Sequence, residues 1–237
     1  LTTKRKEIAL KIKDYKEKGY LPSAVVNFMA LIGWHPEAKS DVSEKEIFSI
    51  KELISEFNLE RVQKSGGIFN EEKLDWINSQ FIKNMEDSHL MEELNLRGDI
   101  EENSLSKESV LKIIKSTKER MKNLSEFKNL AHFFFSLPQY DKNLLIWKKS
   151  NLAGAVIALN ESLIILESLK SSDFKKDVIE QKIKSFADKI GKGDFYWPLR
   201  VALSGKEFSP PPQEIIEILG KSESIKRVKS AIENLEK

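Results

Sequence analysis

The sequence predicts an all-α protein, organised as a multi-module helical bundle or α-helix cage with at most a short strand pair near the N-terminus. Apolar residues recur at spacings of three and four along most of the chain, whereas alternating polar and apolar runs of useful length are almost absent. Helix start and stop signals flank these periodic segments. Hydrophobic residues make up 40% of the 237 residues, which suffices to build cores and argues against global disorder.

The helices are supported in chain order by their capping signals. Pro22 stands at a first helical position, and Gly33 ends that segment. Ser49 with Glu52 forms a capping-box pattern, and Asn70 is a further N-cap candidate. The remaining predicted helices cover 106–124, 152–169 (mostly buried), 178–190, 215–219 (ending at Gly220) and 225–235. A short extended piece is expected within 1–10.

Three breaks in the helical patterns suggest separate modules. Residues 86–104 are polar, and a proline interrupts the pattern in 137–141. The Ser-Pro-Pro-Pro segment at 209–212 predicts an extended or turn conformation. We therefore expect helical modules joined at these places.

Composition excludes several classes of function. The 39 basic and 37 acidic residues leave a formal charge of +2, so any nucleic-acid binding must use local basic faces. The absence of cysteine excludes disulfides, thiolate catalysis and Cys-ligated zinc. The three histidines, His35, His89 and His132, are too scattered to predict a metal site. Neither an apolar membrane span nor a secretory leader is recognised, so we expect a cytoplasmic protein without membrane contact.

A basic stretch lies between Lys112 and Lys128, with six lysines or arginines against two glutamates. Lys115, Lys118 and Lys122 follow at spacings of three and four, which predicts that they share one helix face. Such a stripe neutralises RNA phosphates or forms an ordinary solvated face, and the pattern alone leaves both interpretations open.

A second unusual block, FYWPLRVALSG at 195–205, precedes the proline segment 209–212. Aromatic side chains, one arginine and a rigid loop are parts with which proteins read unstacked RNA bases. The alternative is a helical junction with an aromatic plug in its core. Composition does not choose between these two interpretations.

Four blocks of the sequence carry a resemblance to a known family. They are DYKEKGYLPSAVVNFMALIGW at 14–34, FSIKELISEFNLERVQKSGGIFNEEKLDWIN at 48–78, WPLRVALSG at 197–205 and IIEILGKSESIKRVKSAI at 215–232. In order and spacing they resemble bacterial glutamyl-tRNA synthetases, which are class I aminoacyl-tRNA synthetases, in the part beyond the catalytic fold. The resemblance implies a stem-contact domain at 1–88 and two anticodon-binding helical subdomains at 89–137 and 138–237.

The resemblance also assigns roles to residues. It implies that Arg200 holds anticodon bases together with the loop positions Ser209, Pro210 and Pro212, and that Arg120 reads the third anticodon base. Lys115, Lys118 and Lys122 would then position the RNA through its phosphates. Trp34, Leu74 and Trp76 would be core residues of the stem-contact domain.

The family's catalytic signatures are nearly absent from this sequence. No His-x-Gly-His pattern is found, and Lys4 matches one basic position of the loop that supports the ATP phosphates. The resemblance therefore implies that this chain alone is inactive and holds no cofactor, whereas the parent enzyme uses ATP and Mg²⁺. The implied partners are the tRNA for glutamate, in some family members also the tRNA for glutamine, and the catalytic domain of the parent chain. A monomer is expected.

Two other functions remain as alternatives. A helical protein-interaction scaffold derived from the same fold would explain the altered start of the chain and Pro212. A complete enzyme of another kind is less favoured, because no catalytic constellation is visible. The salt dependence of tRNA binding separates an RNA-binding protein from a scaffold.

Overall fold

The computed structural model describes residues 11–36, 45–64, 67–100, 105–136, 139–148 and 150–236. Over these ranges the protein is all-α, which confirms the predicted class, and the β pairing is confined to an isolated antiparallel bridge between Trp34 and Val62. None of the described helices is long and apolar enough to cross a membrane. The extended piece expected within 1–10 lies outside the described residues.

The helices, in chain order, are α1 (Ile12–Glu17), α2 (Pro22–Gly33), α3 (Ile50–Glu56), α4 (Glu71–Asn84), α5 (Asp87–Leu96), α6 (Lys107–Thr117), α7 (Glu126–Phe135), α8 (Leu152–Ser168), α9 (Lys176–Ile190), α10 (Lys192–Ser204) and α11 (Pro212–Glu236). Short 3₁₀ turns occupy Leu59–Arg61, Lys118–Arg120, Lys142–Leu145 and Ser171–Asp173.

The predicted helix starts are confirmed by their hydrogen bonds. The Ser49 hydroxyl accepts from the Glu52 amide, and the Glu52 carboxylate accepts from the Ser49 amide, which completes the capping box. Hydrogen bonds from Lys45 and from Ser49 lower the pKa of Glu52 to about 2. The Asn70 side chain caps α4, and Pro22 is the first residue of α2. Local sequence thus determines where these helices begin.

The helix ends and junctions differ from the predictions in two places. The segment 106–124 is not one helix, because α6 ends at Thr117, whose hydroxyl donates to the Ile113 carbonyl at 2.8 Å. The polar stretch 86–104 contains α5, whose Leu90 and Leu94 are fully buried. The predicted break at Gly220 is confirmed, since this residue leaves helical geometry at a φ of 72° within α11.

The chain divides into two compact units according to its internal contacts. Unit 1 comprises Leu1–Ile100 and Lys118–Asn129, and unit 2 comprises Glu101–Thr117 and Leu130–Lys237. Each unit therefore combines segments that are distant in sequence. The three modules implied by the resemblance, with boundaries at 88 and 137, stay a prediction.

Unit 1 is held together around α2 and α4. The Asn78 side chain of α4 accepts from the Leu21 amide at 2.8 Å and donates to the Lys122 carbonyl at 2.5 Å. Tyr20 donates to Asp75 at 2.6 Å, and burial followed by this bond raises the tyrosine pKa. These bonds attach residue 122 to the N-terminal helices.

Two of the three predicted core residues of unit 1 are confirmed. Trp34 and Leu74 are each 1% exposed. Trp76 is not a core residue, because it is 42% exposed. Two positions after Leu74 on a helix lie roughly 200° away, so Trp76 faces outward, where the Lys73 ammonium lies 4.9 Å from its ring centroid.

Unit 2 is built on α8, α10 and α11, which pack against one another. Phe195 and Leu199 of α10 and Leu166 of α8 are fully buried there. The expectation that α8 is mostly buried holds for one face only, since Ile157 and Ile164 are 54% and 61% exposed. Their separation of seven residues places both on one outward stripe.

Candidate nucleic-acid interface

Arg200 and the loop after α10 meet in unit 2, as the resemblance implies. Arg200 is half-buried on α10, and its Nη1 donates to the Ser209 carbonyl at 2.5 Å and to the Pro210 carbonyl at 3.2 Å. The Ser209 hydroxyl lies 3.3 Å from the same nitrogen and donates to the Pro210 carbonyl at 3.1 Å. The arginine is therefore attached to the loop through successive carbonyl groups.

The proline loop is a buried, rigid part of this arrangement. Ser209 is 4% exposed, and Pro210 and Pro212 are also buried. Pro212 is the first residue of α11, where a backbone N–H has no intrahelical partner, so proline at this position costs the helix no hydrogen bond. An extended or turn conformation is predicted for 209–212; residues 209–211 are indeed outside any helix and bend at Pro210, whereas Pro212 already belongs to α11. The loop thus presents its carbonyls to Arg200 and begins the next helix.

Aromatic residues before Arg200 make packing contacts within unit 2, as the core-plug interpretation expects. Phe195 is fully buried. Trp197 donates from Nε1 to the Leu144 carbonyl at 2.7 Å, and its ring centroid lies 4.5 Å from that of Trp147. A side chain at Gly193 would overlap the Trp147 ring. These contacts fix α10, and with it the position of Arg200.

The basic residues do not form the single helix face that their spacing predicts. Lys115 is exposed near the end of α6, in unit 2, whereas Lys118 and Lys122 belong to unit 1. The reason is the end of α6 at Thr117, after which a 3₁₀ turn and a further turn replace the helix. Arg120 is exposed in that 3₁₀ turn.

Lys118 and Lys122 differ in their surroundings. The Lys118 ammonium donates to Asp87 at 2.6 Å and to the Met85 carbonyl at 3.1 Å, and its side chain is only 16% exposed. Lys122 is exposed, with its ammonium 3.8 Å from an Asp75 oxygen. Lys118 therefore contributes to the packing of unit 1, while Lys122 is accessible to a ligand.

A charged groove in unit 2 was not predicted from the sequence. It has a volume of about 380 Å³ and is lined by Lys112, Lys115, Ser116, Lys176, Glu214, Glu217 and Ile218. Lys176 donates to Glu214 at 2.5 Å, and Lys112 lies 3.5 Å from Glu217. These ion pairs balance much of the local charge. Sequence reasoning missed the groove because its walls come from three separate helices.

The described part of the chain contains no group of three or more His, Asp or Glu side chains arranged to hold a metal ion. His89 pairs with Glu93 of its own helix at 3.7 Å, and His132 lies 3.1 Å from the Ser136 hydroxyl. Lys4, the proposed remnant of an ATP-phosphate loop, lies outside the described residues.

The class of protein follows from this fold together with two family models. Residues 76–232 match the model described as "Anticodon binding domain", and residues 1–76 match "tRNA synthetases class I (E and Q), catalytic domain". Together, the fold and these two models define the class of protein: an all-α anticodon-binding region of a class I synthetase. The chain belongs to the anticodon-binding domain family, in the form that occurs in the C-terminal portion of glutamyl-tRNA synthetases.

Individual relatives agree with this assignment and confirm the resemblance. The glutamate–tRNA ligase of Clostridium tetani is 36% identical over 230 residues, covering 94% of this chain and 45% of that protein. The ligase of Flavobacterium johnsoniae is 36% identical over 225 residues, covering 93% and 43%. A crystal structure of a glutamate tRNA ligase from Elizabethkingia meningosepticum in complex with its amino acid superimposes with a TM-score of 0.79 at 34% identity, covering 93% of this chain and 43% of that one. The chain spans less than half the length of these relatives.

Proposed function

We propose that this chain is the part of a glutamate–tRNA ligase that binds tRNA for glutamate and recognises its anticodon. The observation that carries the proposal is the attachment of Arg200 to the Ser209 and Pro210 carbonyls in a chain of the anticodon-binding family. The whole protein would use ATP and Mg²⁺ to join glutamate to the tRNA, as a cytoplasmic monomer. The chain alone would lack that activity.

The geometry suits the recognition of single-stranded bases. Anticodon bases are unstacked in a loop, so a protein can reach their hydrogen-bonding edges. The two carbonyls hold Nη1 of Arg200 and thereby restrict the plane of the whole guanidinium. A planar cation of restricted orientation favours bases whose acceptors match its donors, or bases that stack on its face. Ser209, Pro210 and Pro212 would act through the position of Arg200.

The exposed basic residues would contribute affinity without sequence preference. Lys115 and Lys122 are accessible, and phosphate contacts from such residues position RNA without reading it. Arg120 is exposed as well, and we retain it as the proposed reader of the third anticodon base. If Lys118 also contacts a phosphate, its replacement by alanine should weaken the binding of all tRNAs alike. Because its ammonium is paired with Asp87, the same replacement should destabilise unit 1.

Binding to two transcripts of the glutamate tRNA, one native and one with its anticodon bases replaced, tests the proposal. Fluorescence-detected binding is measured with both transcripts at the same salt concentration, because phosphate contacts make affinity strongly dependent on salt. Tighter binding to the native transcript is expected. Equal binding to both would remove the roles assigned to Arg200 and the loop, and absence of binding to either would favour the scaffold alternative.

Lys115→Ala tests the phosphate contacts separately. We expect weaker binding to both transcripts by the same factor, and a slope of log affinity against log salt reduced by roughly 1, because one phosphate contact is lost. Lys115→Arg keeps the charge and serves as the matched control, with an unchanged slope. A loss of preference between the transcripts would show instead that Lys115 reads a base.

A further inference from the structure

A second arginine of unit 2, Arg227, is fully buried and is not one of the residues proposed to contact RNA. Arg227 of α11 is 1% exposed. Its Nη1 donates to the Phe133 carbonyl at 2.6 Å and to the Leu203 carbonyl at 2.7 Å, and its Nε donates to Glu223 at 2.9 Å. A buried guanidinium needs such hydrogen bonds to offset its desolvation, so this residue is expected to hold its neighbours firmly.

The location of the Leu203 carbonyl makes this bond relevant to the interface. Leu203 lies in the last turn of α10, three residues after Arg200. Carbonyls in the last turn of a helix receive no hydrogen bond from an amide of the same helix, so they need a donor from elsewhere. Gly205 then ends the helix in a left-handed conformation, with a φ of 65°. The chain leaves α10 at this point and returns at Ser209 to contact Arg200. Arg227 therefore holds the start of the segment whose end contacts Arg200.

A second buried side chain stabilises the same turn. The Ser204 hydroxyl donates to the Arg200 carbonyl at 2.8 Å and accepts from the Lys206 amide at 3.2 Å. Ser204 thus links the helix turn that carries Arg200 to the first residues of the segment 205–208. Together with the Arg227 bond, this leaves the base of the loop little conformational freedom.

We propose that Arg227 is a positioning residue for anticodon recognition: by holding the Leu203 carbonyl it keeps the loop 205–210 in the conformation that brings the Ser209 and Pro210 carbonyls onto Arg200. This inference rests on the proposed function, because it concerns the same site. Arg227 is fully buried and would not touch the RNA, so its effect on recognition passes through Leu203 and the loop.

Arg227→Lys is the variant that tests this role. Lysine keeps the positive charge, but its single ammonium cannot reproduce the fork with which arginine binds two carbonyls and a carboxylate. We expect the affinity ratio between the native and the anticodon-replaced transcript to fall about tenfold, which corresponds to about 1.4 kcal/mol. The salt slope, and the affinity for the replaced transcript, should stay within about twofold of the wild type.

A matched control separates positioning from general loss of stability. Ile183→Ala truncates a fully buried side chain of α9 that makes no hydrogen bond to the loop. Such substitutions lower the free energy of unfolding by about 2–5 kcal/mol in typical cores. Destabilisation alone lowers the folded fraction and therefore weakens binding to both transcripts equally. Ile183→Ala should keep the wild-type ratio, whereas Arg227→Lys should not.

The outcomes distinguish this inference from the proposed function. If Arg227→Lys keeps the wild-type ratio while Arg200→Lys loses it, the inference is wrong and the proposed function stands. If the wild type itself shows no preference, both are wrong. Should Arg227→Lys fail to fold, Glu223→Gln provides the test, because it weakens the hydrogen bond that orients Nε of Arg227. An affinity ratio between the two transcripts that is unchanged from wild type would then overturn the inference.

Discussion

Arg200→Ala is expected to abolish most of the preference for the native anticodon, with a loss of about 1–3 kcal/mol, or roughly five- to 150-fold, in the affinity ratio of the two transcripts. The reason is that alanine removes the guanidinium that the Ser209 and Pro210 carbonyls hold in place, and with it the donors that we propose for base recognition. The measurement is the dissociation constant for each transcript at one salt concentration, with the salt slope determined in parallel.

Arg200→Lys is the matched control for charge. It retains one positive charge near the loop but replaces the planar fork by a single ammonium group. We expect it to keep the wild-type salt slope and to lose most of the preference, so that charge and geometry are separated. If Arg200→Ala left the preference between the transcripts intact, the role carried over from the family to this residue would be wrong.

The same variant should also lower stability. Removing Arg200 deletes the hydrogen bonds that its charged guanidinium donates to the Ser209 and Pro210 carbonyls, while the Ser209 hydroxyl continues to donate to the Pro210 carbonyl. We expect a loss of about 1–3 kcal/mol, the range for hydrogen bonds from a charged group. Denaturant unfolding measures this loss. Binding is therefore compared at concentrations and temperatures at which each variant is folded, so that the ratio reports recognition alone.

Gly19→Ala is expected to destabilise unit 1 strongly, by about 3 kcal/mol or more. Gly19 follows α1 with a φ of 80°, and its amide and that of Tyr20 bond back to the Lys16 and Tyr15 carbonyls in a Schellman motif. A methyl group there would lie 2.7 Å from the Ser125 nitrogen and 2.8 Å from the Leu124 nitrogen. Because backbone atoms cannot move aside like a flexible side chain, the clash adds to the conformational strain.

Two other glycines provide controls that separate the conformational strain at Gly19 from the steric clash of the added methyl group. Gly98 has a φ of 69° but no neighbouring atom within 4 Å of an added methyl group, so Gly98→Ala measures the conformational cost alone, about 1 kcal/mol. Gly33, at the end of α2, has neither constraint, and Gly33→Ala should be neutral or slightly stabilising. Equal effects of the Gly19 and Gly98 substitutions would contradict the predicted clash.

The contact at Gly19 also has a consequence for RNA binding. The Leu124 amide donates to the Gly19 carbonyl at 2.9 Å, and this bond helps to attach residues 118–129 to the N-terminal helices of unit 1. That segment carries Arg120 and Lys122. Gly19→Ala should therefore weaken tRNA binding beyond its effect on the folded fraction. Because Arg120 is the proposed reader of the third anticodon base, part of the preference for the native transcript should be lost as well.

The sequence by itself determined the all-α class and the beginnings of α2, α3 and α4. Pro22, the Ser49–Glu52 capping box and Asn70 act on backbone groups within four residues, so their effect does not depend on the rest of the chain. The family motif also placed Arg200 beside the loop at 209–212, because the two are separated by only about ten residues. Local information was sufficient wherever the interacting groups were close in sequence.

Only the tertiary structure decided the features that depend on distant residues. The Lys118–Asp87 ion pair joins positions 31 residues apart, and the bond between Arg227 and Phe133 joins positions 94 apart. The charged groove of unit 2 likewise takes its walls from α6, α9 and α11, which are far apart in sequence. Helical periodicity indicates which side of a helix is apolar. It does not indicate which segment covers that side, or which buried polar group links two helices, because both depend on packing between segments that are distant in sequence.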